Sequence, residues 1–104
     1  VLLVDEEHGG ARNVDIHVNH LAAGSGPGPR HYHERAENVY VVLDGTIEVE
    51  IEGEVVTLAP DDVLFIPPGL IHATSNPGSE AATFIEIYAP AGRDFHIVDE
   101  SEES

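Results

Sequence analysis

Arg30-His31-Tyr32-His33-Glu34-Arg35-Ala36-Glu37-Asn38 and Ile66-Pro67-Pro68-Gly69-Leu70-Ile71-His72-Ala73-Thr74-Ser75-Asn76 are the two stretches on which the reading of this chain turns. In the first, residues two apart on a strand share a face, so His31 and His33 project side by side with Tyr32 on the reverse. Two imidazoles so placed suit one divalent metal ion. An H-x-H pair is a weak signal in a chain with seven His. The second stretch strengthens it. His72 follows a Pro/Gly loop at the start of a strand, and antiparallel pairing would bring it over the H-x-H strand to complete a face of three imidazoles.

Outward from these stretches the pattern is all-β. No helical periodicity is sustained, while alternation is frequent. Asn13 to Leu21 alternates, with Val14, Ile16 and Val18 opposite Asp15, His17 and Asn19. Residues 22–29 form a Gly/Pro loop before a short strand at Arg30 to Glu34. Asn38 to Leu43 ends at Asp44-Gly45, a strong hairpin signal. In Thr46 to Glu52, Ile47, Val49 and Ile51 point inward, and Glu48, Glu50 and Glu52 point to solvent. Further strands are expected at Glu54 to Leu58, Val63 to Ile66, Ile71 to Ser75, Ala82 to Ala89 and Phe95 to Val98. About nine short strands joined by turn chemistry suggest a sandwich or small barrel. The acidic residues 99–104 are expected to fray.

The two stretches resemble the motifs of the cupin superfamily, G-x5-H-x-H-x3,4-E-x6-G and G-x5-P-x-G-x2-H-x3-N. The second matches at Pro67, Gly69, His72 and Asn76, with Asp61 in place of its leading Gly. The first matches at His31, His33 and Gly45, with Ser25 where its leading Gly would fall, between Gly24 and Gly26. Residues 46–60 separate the motifs, the short spacing of compact microbial cupins, and the resemblance covers about residues 13–89 of a single domain spanning 1–104. It implies a double-stranded β-helix, or jelly-roll barrel. It also implies a divalent transition metal (Fe, Mn, Zn, Ni or Cu) held by His31, His33 and His72.

The departure lies at the family's Glu. Counting back from Gly45 puts that position on Asn38, and counting on from His33 puts it on Glu37. One residue flips the strand face. If Tyr40 and Val42 face the interior, Asn38 does too; Glu37 takes its place if a bulge shifts the register. An Asn at that position makes the site unusually poor in carboxylates and leaves the full charge on the metal. Other candidates are weaker. His17 and His20 line the barrel mouth or stand exposed, and His8 and His96 are expected at the surface. Arg30 holds a substrate carboxylate or one of the chain's own acids. Tyr40 is a pocket donor or a core aromatic. Glu86 is a general-base candidate whose alternation leaves it either interior or exposed.

Composition bounds the rest. The 104 residues carry four Arg, no Lys, and twenty Asp plus Glu, for a net charge of −16. Phosphate contacts need Lys and Arg, so neither nucleic acid nor anionic lipid is an expected partner. No Cys means no disulfide, thiolate metal site or Cys nucleophile. No membrane-length apolar run or signal-peptide pattern is present, and a cytoplasmic location is expected. A Lys-free acidic coat resembles the composition of proteins from salt-loving organisms, in which molar salt screens surface repulsion.

The cupin resemblance implies a metal open to a small-molecule ligand or substrate. One reading is a metal-dependent enzyme acting on a sugar, sugar acid or diketone-like compound. Fe or Cu would suit oxygenation, and Mn, Zn or Ni would suit isomerase or lyase chemistry. The alternative is a non-enzymatic ligand-binding or sensor module, and a third is a dimer with a vestigial site. A homodimer is expected, with the edge segment Val1 to Val4 as a contributor.

Overall fold

The computed structural model describes residues 2–4, 13–91 and 94–98. Val1, His8 and the acidic tail at 99–104 lie outside the described residues. Among the described residues ten strands follow one another: β1 (Leu2–Val4), β2 (Asp15–Leu21), β3 (His31–Tyr32), β4 (Glu37–Asp44), β5 (Ile47–Ile51), β6 (Glu54–Leu58), β7 (Val63–Ile66), β8 (His72–Ser75), β9 (Ala82–Ala89) and β10 (His96–Ile97). They form two five-stranded sheets, in the orders β1-β2-β9-β4-β7 and β10-β3-β8-β5-β6, and the pairs within them are antiparallel. The all-β barrel architecture expected from the sequence is what forms. No helix among the described residues is long and apolar enough to cross a membrane.

The hairpin expected at Asp44-Gly45 does not form: β4 pairs with β7 and β9 and β5 with β6 and β8, so this turn, like the one at Asp61 between β6 and β7, carries the chain from one sheet to the other. Gly45 sits at φ 74°, and a Cβ there would come within 2.6 Å of the Ala81 carbonyl oxygen and 2.8 Å of the Ala82 Cα. Both the dihedral and the close approach of backbone therefore require glycine. Asp61, which replaces the motif's leading Gly, adopts φ 73°. Asp is one of the few residues with a side chain that tolerate this region.

The core lies between the sheets. Tyr40 and Val42 from β4, Ile47 and Val49 from β5, Leu58, Ile66, Ala82 and Phe84 make one buried cluster. Each large member contributes about 1.5–3 kcal/mol by leaving water. The core fills one part of the interior and leaves the part between β2, β4, β9 and β8 to polar side chains.

The faces of β2 and β9 are the main difference from a simple apolar-in reading. Phe84 and Glu86 are buried on β9, and Asn19 of β2 reaches Glu86 across the interior face. His17 packs its ring edge-on to Tyr88 at 5.5 Å. Asp15, His17 and Asn19 pair directly with Tyr88, Glu86 and Phe84. On β2 the polar row thus faces in and the apolar row faces out, whereas the inward row of β9 mixes the core residues Ala82 and Phe84 with Glu86. Cross-strand pairing lines up Ile16, Ile87, Val39 and Phe65 in one outer row, and Val18, Ile85, Val41 and Val63 in the next. Phe65 is 51% and Val63 63% exposed.

Candidate metal centre

β3 and β8 pair with His31 directly opposite His72. His33 follows one residue beyond the end of β3, on the same face as His31. The three imidazoles gather, with ring centroids 4.3 Å apart for His31–His72, 5.2 Å for His31–His33 and 5.3 Å for His33–His72. One nitrogen from each lies within 4.8 Å of the others. Asn38 on β4 is fully buried and points into the same interior, whereas Glu37 is exposed on the opposite face.

Each ring is anchored through Nδ1 to a backbone carbonyl. His31 bonds Pro29 O at 2.9 Å, His33 bonds Asp94 O at 2.7 Å, and His72 bonds Leu70 O at 3.0 Å. A carbonyl oxygen can only accept, so Nδ1 must carry the proton in all three. The unprotonated Nε2 atoms face the shared interior, as in metal-binding histidines generally, with that of His33 3.5 Å from the Asn38 amide nitrogen. Asn38 Oδ1 and His72 Nε2 are buried and have no hydrogen-bond partner among the described residues. Such orphans are costly unless something binds them. The donor set therefore fits a divalent cation.

The three-histidine group holds no carboxylate among the described residues, but one lies directly behind Asn38. Glu86, on the neighbouring strand, is buried beside it. Asn38 Nδ2 donates to Glu86 Oε2 at 3.2 Å, and Asn19 Nδ2 donates to Oε1 at 2.8 Å. The same Asn38 nitrogen lies 3.5 Å from His33 Nε2, so Asn38 links the carboxylate to the imidazoles. Burial, reinforced by the Glu86 charge, pushes the Tyr40 and Tyr88 hydroxyls up, and both stay protonated. Tyr40 is a core aromatic that also hydrogen-bonds Thr74 at 3.2 Å. Phe95 packs against His31 with the rings tilted by 32° and centroids 4.3 Å apart.

The remaining candidates fall outside this cluster. Arg30 pairs with Glu50 at 3.4 Å. His20 is exposed and bonds Thr83 at 3.0 Å. His96 keeps a side chain 41% exposed, and its Nε2 bonds Asp94 Oδ1 at 3.0 Å. Asp94 escaped the sequence reading because its role depends on a contact some 60 residues away in the chain.

Burial holds His72 well below the ordinary imidazole value, at about 4; the nearby His31 and His33 add to this and the Leu70 carbonyl opposes it. Burial lowers His31 as well. Unfolded, His72 titrates near ~6.5. Between these values the unfolded chain binds a proton that the folded chain does not, so stability falls as pH falls through that window and this contribution levels off below it. Melting of the protein in chelator from pH 7 to pH 4 should show this decline, and His72→Gln should flatten it. Equal slopes for the two proteins would remove His72 as the cause.

Residues 17–88 match the Cupin_2 cupin domain family. The chain belongs to the cupins. This cupin is 39% identical over 62 residues to a mannose-1-phosphate guanylyltransferase of Salmonella montevideo; the match covers 60% of this chain but 13% of that enzyme. It is 35% identical over 78 residues to a glucose-6-phosphate isomerase of Thermococcus gammatolerans, covering 67% of this chain and 41% of the isomerase. The chain thus spans a minor part of the curated relatives it matches. A conserved protein with a double-stranded β-helix domain from Klebsiella pneumoniae superposes with a TM-score of 0.81 at 21% identity, over 94% of this chain and 81% of that one. That likeness establishes the double-stranded β-helix fold.

Proposed function

We propose that this cupin is a metal-dependent enzyme of the isomerase kind, acting on a small polar, sugar-like substrate. The observation that carries the reading is Glu86, a buried carboxylate linked through Asn38 to the three-histidine cluster. In this reading His31, His33 and His72, with Asn38 Oδ1, hold a divalent transition metal, and Glu37 takes no part. The ion supplies Lewis-acid polarisation of a substrate carbonyl oxygen. Glu86 accepts the proton from the hydroxyl-bearing carbon beside that carbonyl and returns it to the former carbonyl carbon, while the hydroxyl proton passes from its own oxygen to the former carbonyl oxygen. Asn19 and Asn38 keep the Glu86 oxygens oriented, and the Tyr88 hydroxyl stays protonated as a donor to substrate oxygen. The similarity to a glucose-6-phosphate isomerase supports the choice of substrate class.

Manganese- or zinc-loaded protein, incubated in deuterium oxide with aldose–ketose pairs and their phosphates, should place deuterium on the carbon next to the carbonyl. Tight binding of such sugars without exchange would favour the non-enzymatic ligand-binding reading instead.

The same reading includes a homodimer. The outer rows from Ile16 to Phe65 and from Val18 to Val63 give a four-strand apolar face, the kind of surface that marks an association site. Edge strand β1 lies beside it. The charge of −16 per subunit opposes association at low ionic strength, and the Lys-free composition supports adaptation to high salt. Light scattering should find a dimer in molar salt that weakens as salt is removed, and Phe65→Asp should give a monomer at every salt concentration. A Phe65→Asp protein that remains dimeric would exclude this face.

A further inference from the structure

His31 and His72 sit in strands that pair with each other, but His33 does not. It lies in the segment 33–36, between the end of β3 and the start of β4, where no ladder fixes the backbone. Its own carbonyl accepts from the Gly69 amide at 2.7 Å, which leaves the imidazole and the following turn to be held by something else.

Asp94 meets both needs. It is 8% exposed, and its carboxylate accepts from three consecutive amides: Glu34 N at 3.1 Å to Oδ1, Arg35 N at 2.6 Å and Ala36 N at 2.9 Å to Oδ2. His96 Nε2 closes the set at 3.0 Å. The backbone carbonyl of the same residue accepts the His33 Nδ1–H at 2.7 Å. His96 in turn stacks on Tyr32, with ring centroids 5.1 Å apart, so Asp94 is itself held between β10 and β3.

We propose that Asp94 is the positioning residue of the cluster: its side chain gathers the turn after His33 while its carbonyl sets the tautomer and tilt of the His33 ring. The proposal rests on the reading that the three histidines hold a metal, but its first consequence does not need one. Burial alone would push the Asp94 carboxyl up, yet the amide donors and His96 outweigh it and hold the group below the usual carboxylate range. An ionised acceptor makes the stronger bonds to amides. Partners of a ligating histidine typically change metal affinity by about 10–100-fold when lost.

The test compares wild type, Asp94→Asn and Asp94→Ala, first without metal. Nitrogen-15 NMR of the wild type should show His33 as the Nδ1–H tautomer and slowed hydrogen exchange at the amides of Glu34, Arg35 and Ala36. Asp94→Ala keeps the backbone carbonyl but removes the side-chain bonds that hold it in place, so these amides should lose protection and the His33 Nδ1–H bond to that carbonyl should loosen into a tautomer mixture, while His31 and His72 keep their Nδ1–H signals. Asp94→Asn retains one side-chain acceptor and should fall between; it carries the test if Asp94→Ala does not fold. Titration with Zn²⁺ alone should then show affinity about 10–100-fold weaker in Asp94→Ala. An unchanged His33 tautomer, or equal disturbance of all three histidines, would overturn the proposal. If wild type takes up no Zn²⁺ while His33 alone changes in the variants, the metal reading fails and the positioning role stands.

Discussion

Replacing His72 by alanine is expected to remove bound transition metal almost entirely, with a larger effect than any outer change around the site. Three imidazoles converge on one point, and each is already oriented by a carbonyl on its Nδ1. That orientation is set by folding, so a metal ion meets Nε2 groups that need little further ordering. Taking away His72 leaves two nitrogens and a neutral amide oxygen. The loss should exceed the about 10–100-fold usual for second-layer substitutions. Elemental analysis of protein refolded with excess Mn²⁺ or Zn²⁺ and then desalted is the direct measurement, with near one equivalent expected for wild type. The variant has a second signature. His72 fills the space between His31 and Tyr40 and is completely buried, so alanine also opens a cavity and lowers metal-free stability. His72→Gln, closer in volume, should lose metal while keeping more of the fold. Retention of a full equivalent by both variants would place the metal elsewhere.

Much of this site could be read from local sequence, and the parts that could not share a cause. Alternation predicts the strands well, because the period of two is written into Ile47-Glu48-Val49-Glu50-Ile51 and its neighbours. The three histidines follow from H-x-H and from the Pro/Gly loop ahead of His72. The Asp at position 61 was readable as a turn residue, since its short side chain tolerates the left-handed φ it adopts.

Alternation does not say which of two rows faces in, however. On β2, and on β9 beyond Ala82 and Phe84, the rule that apolar rows face the core fails, because the interior they border is a polar site and their outer face carries an exposed apolar surface. The true orientation is fixed by pairing with β4, where Tyr40 and Val42 commit the register. For the same reason Glu86 was ambiguous from sequence, and the site looked deprived of its carboxylate. The fold places a carboxylate one strand away from the motif position that holds Asn. Asp94 was hidden further still, since nothing local distinguishes a buried acid from the nineteen others among the chain's twenty Asp and Glu residues.

The displaced carboxylate makes the second large prediction. Glu86→Gln should leave metal content near that of wild type and lower proton exchange on an aldose–ketose pair by about 10²–10⁴-fold, the usual contribution of a positioned general base. The substitution keeps the side chain's size and its acceptor oxygen, so Asn19 or Asn38 can still donate to it. It removes the group able to take a proton. The two measurements separate roles that the geometry alone leaves joined: Glu86 touches Asn38, and Asn38 lies beside His33. If Glu86 served chiefly to orient Asn38 for the metal, metal affinity would fall first and exchange would recover at saturating metal. If it is the base, exchange stays low at any metal concentration. The pH profile adds an independent readout, because the limb that reports ionisation of the base should vanish in the variant while other limbs persist. Asn38→Asp runs the logic in reverse. It restores an acid at the motif position next to Glu86, and two carboxylates in one buried site disfavour joint ionisation. That variant should bind metal more tightly, and without metal it should be less stable than wild type at neutral pH.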